Sequence, residues 1–131
     1  MWKRSKYNNK KVVLEDEETG TRTVFDSEKE YHRWCQLKLM EEAGEIRDLE
    51  RQVPFELIPA QYSYTPRYGK KGQRLKDKKK RLEAACFYNA DFTYWQDGEF
   101  IVEDSKGKRT ADYVIKRKLM LWKHGIRIKE T

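Results

Sequence analysis

The chain has 131 residues, of which 37% are hydrophobic and 39% charged, and it carries a net charge of +7. That length suits one domain with a single core, and eight Tyr, five Phe and four Trp supply enough large apolar surface to set it apart from a disordered chain. No apolar run approaches the ~18 residues of a membrane helix, and two cysteines without a C-x-x-C pair argue against a disulfide scaffold or zinc finger and suit a reducing cytoplasm.

Residues 1–11 are polar and basic, with no apolar signal-peptide core, and read as an arm that orders on binding. Val12-Val13-Leu14 and Thr21 to Phe25 flank EDEETG and predict a short hairpin turning near Gly20. Ser27-Glu28-Lys29-Glu30 has the spacing of a capping box. It predicts a helix to about Glu42, with Tyr31, Trp34, Cys35, Leu37 and Leu39 as its apolar surface and Gly44 as its stop. Val53 to Tyr64 is strand-like around two prolines, which favours an edge or bulged strand.

The excess charge sits in one place. From Arg67 to Arg81 there are nine Lys/Arg against one acid, Asp77, a local +8 that leaves the other 116 residues at −1. The cations are Arg67, Lys70, Lys71, Arg74, Lys76, Lys78, Lys79, Lys80 and Arg81. We read residues 65–82 as a basic insertion loop, its Lys/Arg end open to helix, and its natural partner as a polyanion. Nucleic acid ranks ahead of an anionic membrane because no amphipathic apolar face accompanies the charge. A solvated loop that only aids solubility is the plainer reading.

Asp97-Gly98 is a two-residue type I′ turn signal between two strand-like runs. It pairs Gln96 with Glu99, which sets Asp91 directly opposite Asp104 with Cβ atoms ~4.5–5.5 Å apart. Lys106, two residues on, falls on the same face, and Glu103 points the other way. Two carboxylates that close repel, and a divalent cation between them removes the penalty. Oxygen ligands suit Mg²⁺ or Mn²⁺, and a lysine beside them suits a phosphate or hydroxide. Salt bridging within the trio is the competing explanation.

Thr110 then caps a helix predicted to reach about Lys123, with Tyr113, Val114, Leu119, Met120, Leu121 and Trp122 as its apolar set and Gly125 as its stop. Lys116, Arg117 and Lys118 lie along it, either as phosphate contacts or as a solvated face. Ile126-Arg127-Ile128 reads as a last short strand. The four tryptophans are core by default, although Trp95, beside the turn, has base stacking as an alternative. The cysteines read as buried inert thiols, and the separated His32 and His124 as surface or capping groups. The order of elements implies an α/β domain spanning residues 1–131, with a mixed four- to five-stranded sheet flanked by helices on both faces.

Asp91…Asp104-Ser105-Lys106 resembles the PD-(D/E)xK motif of the restriction-endonuclease-like nuclease superfamily, with Ala90 where the motif has proline. KYNNKK, FDSEKE, LMEEAGEIRDLERQVPFEL, ADFTY and VEDSKG extend the likeness over most of the chain. It resembles small phage- and prophage-encoded proteins similar to Holliday-junction resolvases. The resemblance implies Mg²⁺ held by Asp91, Asp104 and the main-chain carbonyl of Ser105. Lys106 would orient water or stabilise charge, Glu30 would join the catalytic and metal site from the first helix, and Gln52 would line it. Glu28 is the alternative to Glu30. It further implies a metal-dependent DNA endonuclease acting on branched DNA, dimeric as a resolvase must be, in the cytoplasm of a bacterial host. A DNA-binding accessory protein that keeps the fold without cleaving is the second expectation. An RNA-binding module is the third, and it would need exposed aromatics on a sheet face.

Overall fold

A computed structural model describes residues 2–4, 10–105 and 109–131, and these described residues form nine strands, in three sheets, and two helices. The first sheet joins β1 (Trp2–Arg4), β2 (Lys10–Glu15) and β3 (Arg22–Phe25). β2 and β3 are the expected hairpin. Trp2–Arg4 pairs with residues 10–12, so part of the stretch read as an arm is already a strand.

Helix α1 (Glu28–Glu42) starts at Ser27, whose Oγ accepts the Glu30 N–H at 3.1 Å, and ends before Gly44, which has φ +78°. Leu37 is fully buried, whereas Leu39, assigned to the apolar surface, is exposed. Sheet two runs in the order β4 (Arg47–Ile58), β7 (Cys86–Gln96), β8 (Glu99–Asp104) and β9 (Lys129–Glu130). It is mixed, because β8 and β9 are parallel and the other pairs antiparallel. β4 is an edge strand of this sheet, but it begins at Arg47 rather than Val53 and ends at Ile58, so the run expected to Tyr64 breaks at Pro59-Ala60. Its register shifts lie between Arg47 and Glu50 and between Glu56 and Ile58, while Pro54 pairs in register with Asn89. The last strand lies later than expected: Ile126 and Ile128 precede it, and Ile128 is buried.

Helix α2 (Ala111–His124) has the two expected caps. Thr110 Oγ1 accepts from Tyr113 N, and Gly125 adopts φ +66°, the left-handed cap that glycine takes without a Cβ clash. Tyr113 and Met120 are buried, but Leu121 and Trp122 are exposed, with Trp122 at 79%, so the default placement of this tryptophan in the core does not hold. Trp34 and Trp95 are half-buried, as are both cysteines, which are free thiols.

Two clusters make the core. Leu37 and Ile46, from α1 and the turn after it, meet Phe92 and Tyr94, with Trp34 stacked on Phe92 at 6.1 Å. Tyr113 and Met120 of α2 meet Leu57, Tyr88, Ala90 and Val102. No helix among the described residues is long and apolar enough to cross a membrane.

The basic segment is not a loop and has no helical end. It forms β5 (Gln61–Tyr68) and β6 (Arg74–Glu83), an antiparallel ribbon that is a sheet of its own. The ribbon continues the β4–β7 ladder past a break at Pro59-Ala60 on one strand and Ala84-Ala85 on the other. Its turn is closed by Gly69 N–H to Gln73 O at 2.8 Å, with Gly72 at φ +75°.

Candidate functional site

Asp97 (φ +51°) and Gly98 (φ +79°) take the conformation a type I′ turn requires. The register that follows is Gln96↔Glu99, Trp95↔Phe100, Tyr94↔Ile101, Thr93↔Val102 and Phe92↔Glu103. One further step along the same register brings Asp91 and Asp104 together, close enough for the Asp104 charge to raise the Asp91 carboxyl. The turn chemistry thus places the acidic pair where the sequence expects it.

Asp104 is almost fully buried, and its Oδ2 accepts from Tyr88 Oη at 2.5 Å. Its main-chain oxygen accepts from Thr131 N at 3.0 Å, so β9 holds the end of β8 in place. Asp91 Oδ2 accepts the Ser105 N–H at 2.9 Å. Burial, then the neighbouring Asp104 and Glu30 charges, push the Asp91 carboxyl up to about 7. Near neutrality, therefore, the pair retains a proton unless a cation replaces it.

Glu30 joins from the first turn of α1 and is buried. Its main-chain N–H serves the Ser27 cap, while its carboxylate does not close the box on Ser27. Instead Oε2 accepts from Asp26 N at 3.2 Å, and Oε1 accepts from Gln52 Nε2 at 3.1 Å and from Arg51 Nη2 at 3.4 Å. Burial, then Asp26, raises its pKa. Glu28, the alternative, is half-buried at the start of the helix.

Gln52 links the two halves of the cluster. Its Nε2 also lies 3.5 Å from Asp91 Oδ1, and its backbone sits at φ +51°, a left-handed conformation unusual for a residue with a side chain. That twist in an edge strand aims the carboxamide between the two acids. Arg51, beside it, spans Glu30 and Val24 O and lies 3.9 Å over the Phe25 ring. Sequence reading did not single out Arg51 or Tyr88. Only their place in the register could have found them, because Arg51 pairs with Phe92, and Tyr88 with Phe55.

Lys106 lies outside the described residues, and so does its relation to the acids. Glu103 points away from Asp104, as alternation demands, and is fully buried. Arg33 Nε and Nη2 hold it at 2.7 and 2.8 Å, and Tyr94 Oη donates to it at 2.7 Å. Phe92 and Tyr94 are buried in the α1 cluster. An open cleft of about 480 Å³ lined by Glu50, Thr93, Trp95 and Phe100 includes none of Glu30, Asp91 or Asp104. His124 Nε2 lies 2.7 Å from Glu56 O, a structural contact.

The donor set suits a hard cation: two carboxylates side by side, with a third acid across Gln52. Among the described residues no three acidic, His or Cys side chains close up into a complete ligand set. Two carboxylates still match Mg²⁺, which dehydrates reluctantly and keeps several waters beside one or two protein carboxylates.

All nine cations of the basic segment are exposed on the ribbon or its turn. Among the described residues only Arg74 of the nine has an acidic partner, Asp77 at 2.7 Å. Lys116 is half-buried on α2, with Arg117 turned to Glu130 at 3.5 Å.

Searches of curated proteins and of solved structures gave no match. Residues 4–129 match the model of a family described as "Protein of unknown function (DUF1064)", and the chain belongs to that family.

Proposed function

We propose that the protein is a metal-dependent DNA endonuclease of the PD-(D/E)xK type that hydrolyses phosphodiester bonds in branched DNA, as a Holliday-junction resolvase does. The observation that carries this reading is the Asp91–Asp104 pair, a half-buried and a fully buried carboxylate side by side, flanked by Glu30 through Gln52. The Gln52 carboxamide, in reach of both Glu30 and Asp91, sets a third acid near the pair, which favours this reading over salt bridging alone.

Asp91 and Asp104, with the Ser105 carbonyl, are the residues that would hold Mg²⁺ or Mn²⁺. When bound, the cation supplies an activated water and charge neutralisation on the phosphate. Glu30, tied to Gln52, would stand beside that water, and Lys106 would orient it or add positive charge where negative charge builds up on the phosphate. Water attacks phosphorus, the bond to the 3′ oxygen breaks, and a proton passes to the leaving oxygen. The basic ribbon grips the backbone without reading sequence.

The finer architecture in this reading is a sheet with one helix on each face. Glu103 and Asp104 are consecutive, so they face opposite ways; one engages Arg33 of α1 and the other Tyr88 in the α2 cluster. Symmetric cutting of a junction calls for a homodimer. The setting is phage DNA recombination, replication or packaging in the bacterial cytoplasm.

The test is a cleavage assay on labelled four-way junction, flap, duplex and single-stranded DNA, with Mg²⁺ or EDTA and with Asp104→Asn in parallel. We expect metal-dependent cutting, strongest on the branched substrates and lost in the variant, while binding stays equal or tightens. Binding without cutting in either Mg²⁺ or Mn²⁺ would instead make the protein an accessory factor that retains the fold.

A further inference from the structure

The ribbon β5–β6 carries more than charge. Cross-strand partners share a face, so Tyr62 and Tyr64 lie with Arg81 and Lys79, while Ser63 and Thr65 lie with Lys80 and Lys78. One face is aromatic and cationic, the other hydroxylic and cationic. Tyr64 is 58% exposed and Tyr68, near the turn, 65%.

The aromatic rings are not isolated. Lys79 Nζ sits 4.0 Å over the Tyr62 ring, and the Arg74 guanidinium 5.5 Å over Tyr68. The pairing of a flat ring with a cation is therefore repeated along the ribbon. A two-stranded ribbon with no sheet behind it is marginal by itself, and its close-set cations repel one another. A bound polyanion relieves that repulsion, and exposed rings next to cations match nucleobases next to phosphates.

We propose that the β5–β6 ribbon is a binding arm for unpaired nucleotides, in which Tyr62 and Tyr64 stack on bases while Lys78 and Lys80, with Ser63 and Thr65, follow the phosphates on the other face. This rests on the nucleic-acid part of the proposed function and not on cleavage. Arg81 is ten residues from Asp91 in the chain, at most ~33 Å at ~3.3 Å per residue. Tyr62 is the cross-strand partner of Arg81, and Tyr64, paired with Lys79, lies two residues or about 7 Å farther out. The unpaired bases therefore sit within roughly 50 Å of the acidic pair, about one and a half turns of duplex at ~34 Å per turn. The substrate class that follows is DNA with a single-stranded region close to the cut, such as a flap or an open fork, in preference to fully paired duplex.

Binding of the full chain in EDTA, where no cleavage occurs, separates this from the nuclease reading. The probes are fluorescent thirty-nucleotide oligo(dT), a duplex of about that length, and the same duplex with a central bubble. Replacing Tyr62 and Tyr64 together by Ala should weaken oligo(dT) and bubble binding by roughly 10- to 100-fold and duplex binding by less than about 2-fold. Replacing both by Phe should restore the loss. Lys78→Ala with Lys80→Ala should weaken all three probes and reduce the log–log salt slope by about 1.8 on duplex. Equal losses on the three probes from the Tyr→Ala pair, or none, would overturn the proposal. If the unaltered chain binds no probe, the nucleic-acid reading falls with it.

Discussion

Tyr88 donates its hydroxyl to Asp104 Oδ2 at 2.5 Å, from within the cluster that α2 covers. The bond fixes the orientation of an almost fully buried carboxylate. Tyr88→Phe removes the donor and keeps the ring. We expect a ~10- to 100-fold loss of Mg²⁺ affinity, the usual range for a residue supporting a ligand, with little change in fold. Isothermal titration with Mg²⁺ and a thermal melt read the two effects separately.

Asp91 is held up to about 7 by burial and by its neighbours Asp104 and Glu30. Mg²⁺ must displace that proton, so affinity should fall about tenfold per pH unit below pH 7 and level off above it. Stability of the metal-free protein runs the opposite way. Between about 3.8 and 7 the folded state holds a proton that the unfolded state has lost, so stability declines as pH rises through this window. Asp91→Asn should therefore stabilise the metal-free protein at pH 8 by about 1–3 kcal/mol, and the gain should vanish near pH 4. Urea melts at the two pH values test the sign.

Glu30 acts at two levels, and substitution can separate them. Its N–H belongs to the helix cap, whereas its carboxylate faces Gln52 and Arg51. Glu30→Gln keeps the N–H and relieves a buried charge, so the melting temperature should hold or rise while cleavage drops at least ~10-fold. A lower melting temperature with unchanged turnover would reduce Glu30 to a cap.

Gln52 offers a complementary test through its backbone. Gln52→Gly suits φ +51° without strain, and Gln52→Ala does not. Both lose the carboxamide. We expect both to lower cleavage to a similar extent, with Ala less stable than Gly by about 1 kcal/mol.

The Arg33–Glu103 pair concerns stability alone. Glu103 is fully buried and satisfied by Arg33 and Tyr94. Arg33→Ala leaves the carboxylate buried without its cation, and we expect a loss of about 3–5 kcal/mol by denaturant titration.

The parts of this fold that could be read from sequence are those fixed by short-range rules. Asp97-Gly98 decides the β7–β8 register, and Ser27, Thr110 and Gly125 decide where the helices begin or end. The ribbon was hidden because burial alternation is the signal for a strand. Every residue of β6 except Asp77 is exposed, so there is no alternation to see. β4 was half hidden because Arg47 to Gln52 holds a single apolar residue, Leu49, although its burial alternates from there on. Trp122 and Leu121 misled in the opposite sense, being apolar but uncovered. Within the site, Asp91, Asp104 and Glu30 come together, whereas the supporting Tyr88 and Arg51 required the register of a distant strand.

The turn at Asp97-Gly98 also has a consequence for how the molecule forms. Thirteen positions separate Asp91 from Asp104, and a tight hairpin of this kind closes in about 1–10 μs, sooner than pairings with remote strands. The two carboxylates thus meet before the sheet is complete, and their repulsion opposes that early step. A proton shared between them, or a divalent cation, removes the opposition. The acidic pair that serves the finished protein is in this sense an obstacle on the folding route, lowest in mildly acidic solution or with metal present.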